Sequence, residues 1–102
     1  MPAPGWQNPI VVPAGRTQNG VDPRRLLPSR ADLLRVRLDL QRRLVRSGTP
    51  RLTPIQVTTD GIIFDGHHAV RAAADDGRSI DVKVVFFPLT EAADSILDLP
   101  VV

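Results

Sequence analysis

The chain has 102 residues, enough for one hydrophobic core and too few for a second. It contains no cysteine, which excludes a disulfide scaffold, a thiolate metal site and thiol catalysis. Aromatic residues make up 4%, with one Trp and no Tyr, too few for a stacking platform that holds single-stranded nucleic acid. No run approaches the roughly 18 apolar residues of a membrane span. The start, MPAPGWQNPIVVPAG, lacks the basic and long apolar regions of a secretory signal. The expected setting is the cytoplasm, or export as an effector module by a route without a classical signal peptide.

The net charge of +2 hides an asymmetry. Residues 1–51 hold ten Arg and three Asp, whereas residues 52–102 hold two Arg, one Lys, seven Asp and one Glu. A basic first half can meet nucleic acid or an acidic partner protein. The alternative is that the two halves neutralise each other across the fold.

In chain order, residues 1–28 are rich in Pro and Gly and read as an extended arm ahead of a domain over residues 29–102. Its one apolar run, Ile10-Val11-Val12, lies between Pro9 and Pro13 and suits an edge strand. The spacing then predicts a helix over 29–47. Ser29 is placed to cap it, Leu33, Val36, Leu40 and Leu44 recur at helical steps, and Gly48 and Pro50 end it. Leu34, Leu38 and Val45 widen that stripe to about half the circumference at about 100° per residue. Strands follow at 54–58 and 62–64, joined by the turn signal Asp60-Gly61. A short helix is predicted at about 67–76, ending at Gly77. A third strand at 80–87 points Ile80, Val82, Val84 and Phe86 one way, and Thr90 can cap a last helix over 91–97. The order predicts a small α+β fold: a short mixed sheet with flanking helices. Leu33, Leu40, Leu44, Ile55, Val57, Val82 and Val84 are its expected core.

The stretch that carries chemistry is Ile62-Ile63-Phe64-Asp65-Gly66-His67-His68-Ala69-Val70-Arg71. A strand runs into a glycine and then directly into a helix whose first turn holds two histidines. Free backbone N–H groups and the positive end of the helix dipole converge there, a ready anion site. Gly66 allows close approach of a phosphate. His67 and His68 offer donors and acid–base capacity near neutral pH, and Arg71 follows one turn later. Asp65 either serves as acid or base or only caps the helix. Two His and one Asp in four residues do not converge on one metal ion without ligands from elsewhere.

The segment TPIQVTTDGIIFDGHHAVRAAADDGRSIDVKVV resembles the core of the ParB/sulfiredoxin superfamily. The resemblance covers about residues 29–87 and implies a glycine-led helix start that holds nucleotide phosphates. Sulfiredoxins place an essential Cys where His67 stands, so sulfiredoxin activity is excluded. Partition ParB proteins carry Gly-Glu-Arg-Arg-x-Arg. Gly66 and Arg71 match that motif, but His67 replaces the Glu that supports a metal-bound nucleotide and Ala69 replaces an Arg. The Asp-Gly-His-His run is most similar to stand-alone ParB-like proteins grouped as nucleases and to toxin modules of large secreted bacterial proteins, whose partners include immunity proteins.

The resemblance implies a phosphate or nucleotide site at Gly66, His68 and Arg71. Two functions follow as expectations. One is a phosphoester-cleaving enzyme with His67, His68 and Asp65 as its catalytic groups, with or without a divalent metal brought by a nucleotide. The other is a non-catalytic nucleotide- or DNA-binding module.

Overall fold

In the computed structural model, which describes residues 4–51 and 53–102, a mixed four-stranded sheet is built around its longest strand. The strands are β1 (Thr17–Val21), β2 (Ile55–Thr58), β3 (Ile63–Asp65) and β4 (Ile80–Val85), in the order β1-β4-β2-β3. β4 is antiparallel to β1 and parallel to β2, and β2 pairs antiparallel with β3. Two helices complete the α+β fold, α1 (Arg35–Ser47) and α2 (His67–Asp75). The parallel register sets Ile55 beside Val82 and Val57 beside Val84. All four are buried, and they join Leu26, Leu33, Leu38, Val70 and Ile96 in one apolar cluster. No helix among the described residues is long and apolar enough to cross a membrane.

The Pro/Gly-rich first segment is tied to the rest of the molecule. Thr17–Val21, rather than Ile10–Val12, forms the edge strand. Ile10 is buried but lies outside any strand, and the Gln18 side chain serves the local backbone: Nε2 donates to Pro9 O (2.7 Å) and Oε1 accepts from Val11 N–H (2.8 Å). Trp6 Nε1–H donates to Arg25 O (2.7 Å), and Asn8 Nδ2 donates to Thr59 O (2.8 Å), fastening the segment to the β2–β3 turn. Asn8 also restricts that turn. Gly61 has φ 81°, and a Cβ built there would come 2.6 Å from Asn8 Oδ1. Buried Thr58 completes the turn, its Oγ1 accepting from Ile62 N–H (3.2 Å).

α1 starts six residues later than its periodicity predicts. The backbone donors that would begin a helix at Ser29 are engaged elsewhere. Ser29 N–H and Leu34 N–H donate to the imidazoles of His67 and His68, and Leu33 N–H donates to Pro100 O (2.9 Å). Ser29 is therefore no cap; its hydroxyl donates to Ile63 O (2.6 Å). Leu34 precedes the helix without a side-chain cap, and the C-terminal segment substitutes for one, Val102 O accepting from Arg35 N–H (2.8 Å). Gly48 (φ 71°) and Thr49 close the other end through bonds to Leu44 and Val45 carbonyls, as predicted.

The apolar stripe of α1 is buried more narrowly than its width suggests. Leu38 is fully buried, whereas Leu40 is 48% and Val36 81% exposed. Leu40 is not core, and Leu44 is half-buried. The reason is that α1 packs on α2 along one line, beside the ion pair of Arg42 with Asp75 (2.9 Å). Asp39 pairs with Arg42 (3.5 Å) on the same helix. Arg42–Asp75 also joins the basic and acidic halves of the chain; the other ion pairs between described side chains are local.

Two further expectations are corrected. β4 ends at Val85, so Phe86 leaves the sheet and is 84% exposed, while Phe87 turns to meet Phe64 edge to face (4.9 Å). The expected last helix is one 3-10 turn, Ile96–Asp98, capped by Ser95 rather than Thr90. Leu38→Ala should lower stability by about 2–5 kcal/mol and Leu40→Ala by less than about 1 kcal/mol, read from urea unfolding midpoints.

Candidate functional site

β3 hands the chain to α2 through a single residue. Gly66 has φ 98° and ψ 27°, a left-handed conformation that a side chain would strain. A Cβ there would also come 3.2 Å from Ile55 Cγ1. The turn lets His67 begin the helix immediately after Asp65. The backbone N–H groups of His67, His68 and Ala69 have no earlier turn to accept them. The first bond of the helix is Val70 N–H to Gly66 O (2.9 Å), and no side chain caps it. Asp65 is thus not a helix cap.

Both histidines are buried, and both accept backbone hydrogen bonds. His67 Nε2 accepts from Ser29 N–H (3.0 Å) and lies 3.3 Å from Ser29 Oγ. His68 Nε2 accepts from Leu34 N–H (3.0 Å). Accepting at Nε2 fixes each ring as the neutral tautomer with its proton on Nδ1. The electrostatics agree. Burial, then the Arg30 charge and then His68, push the His67 pKa down to about 4, against a smaller opposing pull from Asp65. Burial, then Arg30 and Arg37, lower His68 as well. Both rings are neutral near pH 7, and neither Nε2 is free to take a proton from a substrate while its backbone bond persists.

A cavity of about 350 Å³ opens at this helix start. Its lining includes Asp65, Gly66, His67 and His68, together with Arg30, Arg37 and Arg51. Arg30 Nε donates to Asp32 O (2.6 Å), and Arg51 Nε donates to Thr53 O (2.8 Å). Arg37 has no ion-pair partner among the described residues. Asp65 is the carboxylate on this wall, and beside it Arg30 also pairs with the Asp32 carboxylate (3.7 Å). Among the described residues, no three His, Asp or Glu side chains gather as metal ligands.

The structure brings together Asp65, Gly66, His67 and His68 from the predicted site. It does not bring Arg71 there. That side chain points to the C-terminal segment, with Nη1 donating to Ile96 O (3.2 Å) and Leu99 O (3.1 Å) and Nε donating to Asp75 (3.2 Å). Its fork is occupied as a clamp between α2 and the chain end. The three arginines that do line the cavity escape a reading centred on the turn, because Arg30 and Arg37 arrive from more than one element away. The trace they leave in the sequence is the excess of Arg in residues 1–51.

Set beside protein-family models, curated proteins and solved structures, the chain has no significant match.

The neutral His67 makes stability depend on pH. Its folded pKa of about 4 lies below the ordinary 6.5, so the unfolded chain takes up the proton first as pH falls. Stability is therefore full above about pH 6.5 and declines toward pH 4, by about 3 kcal/mol for this ring. His67→Gln supplies an uncharged acceptor for Ser29 N–H. Urea unfolding at pH 7.5 and 4.5 should show a clearly smaller acid loss in that variant than in the wild type.

Proposed function

We propose that the cavity at the start of α2 binds phosphate, and that the protein is a nucleotide- or nucleic-acid-phosphate-binding module of ParB/sulfiredoxin type. The observation that supports this reading most is the convergence of Arg30, Arg37 and Arg51, from three separate segments, on a glycine-led helix start with no cap. Guanidinium forks match phosphate oxygens two at a time, and free N–H groups at a helix start point at an anion. Neutral imidazoles beside them keep Nδ1–H donors without adding charge.

Binding is favoured over catalysis by the duty already assigned to the rings. General-base work at Nε2 would break a backbone hydrogen bond at Ser29 or Leu34. A phosphoester-cleaving reading then falls on Asp65, an exposed carboxylate at the cavity wall. Asp65→Asn separates the two readings: it should leave nucleotide binding intact or strengthen it by removing the opposing charge.

Calorimetry with pyrophosphate and nucleoside triphosphates tests the site itself. Arg37→Ala and Arg51→Ala should each weaken binding about tenfold, about 1.4 kcal/mol. Arg46→Ala, on the far side of α1, should change it by less than about twofold. Arg71→Ala should lower the melting temperature and leave the affinity of the folded protein nearly unchanged. Wild-type affinity in both the Arg37 and Arg51 variants would overturn the reading.

A further inference from the structure

A second, larger cavity of about 470 Å³ lies between the C-terminal half of α1, the loop that follows it and the starts of β2 and β4. It shares Gln41, Arg51 and Ala69 with the phosphate cavity, so the two adjoin along these residues. Beyond that junction the character of the wall changes. Leu44, Val45, Ile55 and Ile80 make it aliphatic. Ala73 follows Ala69 by one helical turn on the same face of α2, so the helix presents only small side chains where the two cavities adjoin. Polar groups of the lining come from Thr49, Thr53 and Ser79 and, on β1 and β4, from Thr17, Asp81 and Lys83, where Asp81 Oδ1 already accepts from Gly20 N–H (3.1 Å).

We infer that the ligand is a small organic phosphate monoester, held by its phosphate at the start of α2 and by an uncharged body in the aliphatic cavity. This rests on the phosphate reading above and narrows it. A nucleic acid backbone presents further charges at regular spacing along its length. Here three arginines line one cavity and aliphatic side chains line the adjoining one, whose lining beyond Arg51 carries one further cation, Lys83, among the described residues. The volume falls in the ordinary range for small-molecule pockets, about 300–1,000 Å³. No aromatic side chain lines the groove, so the body is gripped by aliphatic contact on its faces and by hydrogen bonds at its far edge.

The test compares inorganic phosphate, phenyl phosphate and adenosine monophosphate by calorimetry and by amide chemical shifts of the labelled full chain. Inorganic phosphate should shift Gly66, His67, His68 and Ala69 only. At least one of the two monoesters should bind about tenfold tighter or better and also shift Ala73, Ile80 and Lys83; the one that gains identifies the body. Ala73→Leu, which puts a larger side chain where the two cavities adjoin, should reduce that monoester to the affinity of inorganic phosphate without changing the latter. Thr17→Phe blocks the groove from the exposed edge strand and should do the same if the buried Ala73 variant does not fold. Inorganic phosphate bound at Gly66–Ala69, with neither monoester gaining affinity or reaching Ala73, overturns this inference alone. Absence of any phosphate response at Gly66–Ala69 overturns the phosphate reading with it.

Discussion

Two hydrogen bonds, from Ser29 N–H to His67 and from Leu34 N–H to His68, determine how the chain around the site is arranged. The second withdraws the Leu34 N–H that a helix beginning at Ser29 would use, and α1 starts at Arg35. They hold the segment between Leu27 and Leu34 along β3, and just ahead of that strand Leu27 adds a short parallel bridge to Ile62. The same placement brings Arg30 and Arg37 to the mouth of α2. An imidazole accepts such a bond only when neutral, so the fold at this point requires uncharged rings. Burial and the two neighbouring guanidinium groups supply that requirement.

The imidazoles and the arginines therefore reinforce one another. A cation near a histidine opposes its protonation, which preserves the acceptor that positions the cation. Removing the positive charge of Arg30 would raise the pKa of both rings and weaken the tether under acid. An anion bound in the cavity would act in the same direction, since it offsets the charge that keeps His67 and His68 neutral. Ligand binding and the acid stability of the Ser29–Leu34 segment are thus coupled through shared electrostatics.

Much of the fold was legible in the sequence, because hydrophobic period and turn chemistry agree over most of it. Asp60-Gly61 marked the β2–β3 turn, Gly48 and Gly77 marked helix ends, and Val82 and Val84 marked a buried strand face. The misses share a cause, which is tertiary hydrogen bonding that overrides local pattern. Ser29 resembles a cap, yet its backbone and hydroxyl are committed to His67 and Ile63. Leu40 keeps helical phase with Leu33 and Leu44, yet Leu33 lies outside the helix in a bridge to Val101, so the stripe is not one face. The Gly66 turn and the helix start that follows it were readable from the sequence. The arginines beside them were not, because periodicity carries no information about which distant segment crosses the turn. Arg71 had the right spacing along the helix, but two C-terminal carbonyls claim it.

Departures from local rules gather around one place in this molecule. α2 begins without a side-chain cap, Gly66 holds a left-handed conformation, and Arg37 has no ion-pair partner among the described residues although acidic groups abound in the second half of the chain. Two of these cost stability by themselves: the unmet helix start and the cation without a counter-charge. Elsewhere such needs are met: Arg24, Arg42 and Arg78 pair with nearby carboxylates, Ser95 caps the 3-10 turn at Ile96, and Val102 O serves the start of α1, which also lacks a side-chain cap. Sequences tend to violate local consistency where function demands it. An anion at the mouth of α2, as proposed above, would answer the uncapped start and the unpaired arginine together, accepting from the free N–H groups and offsetting the Arg37 charge.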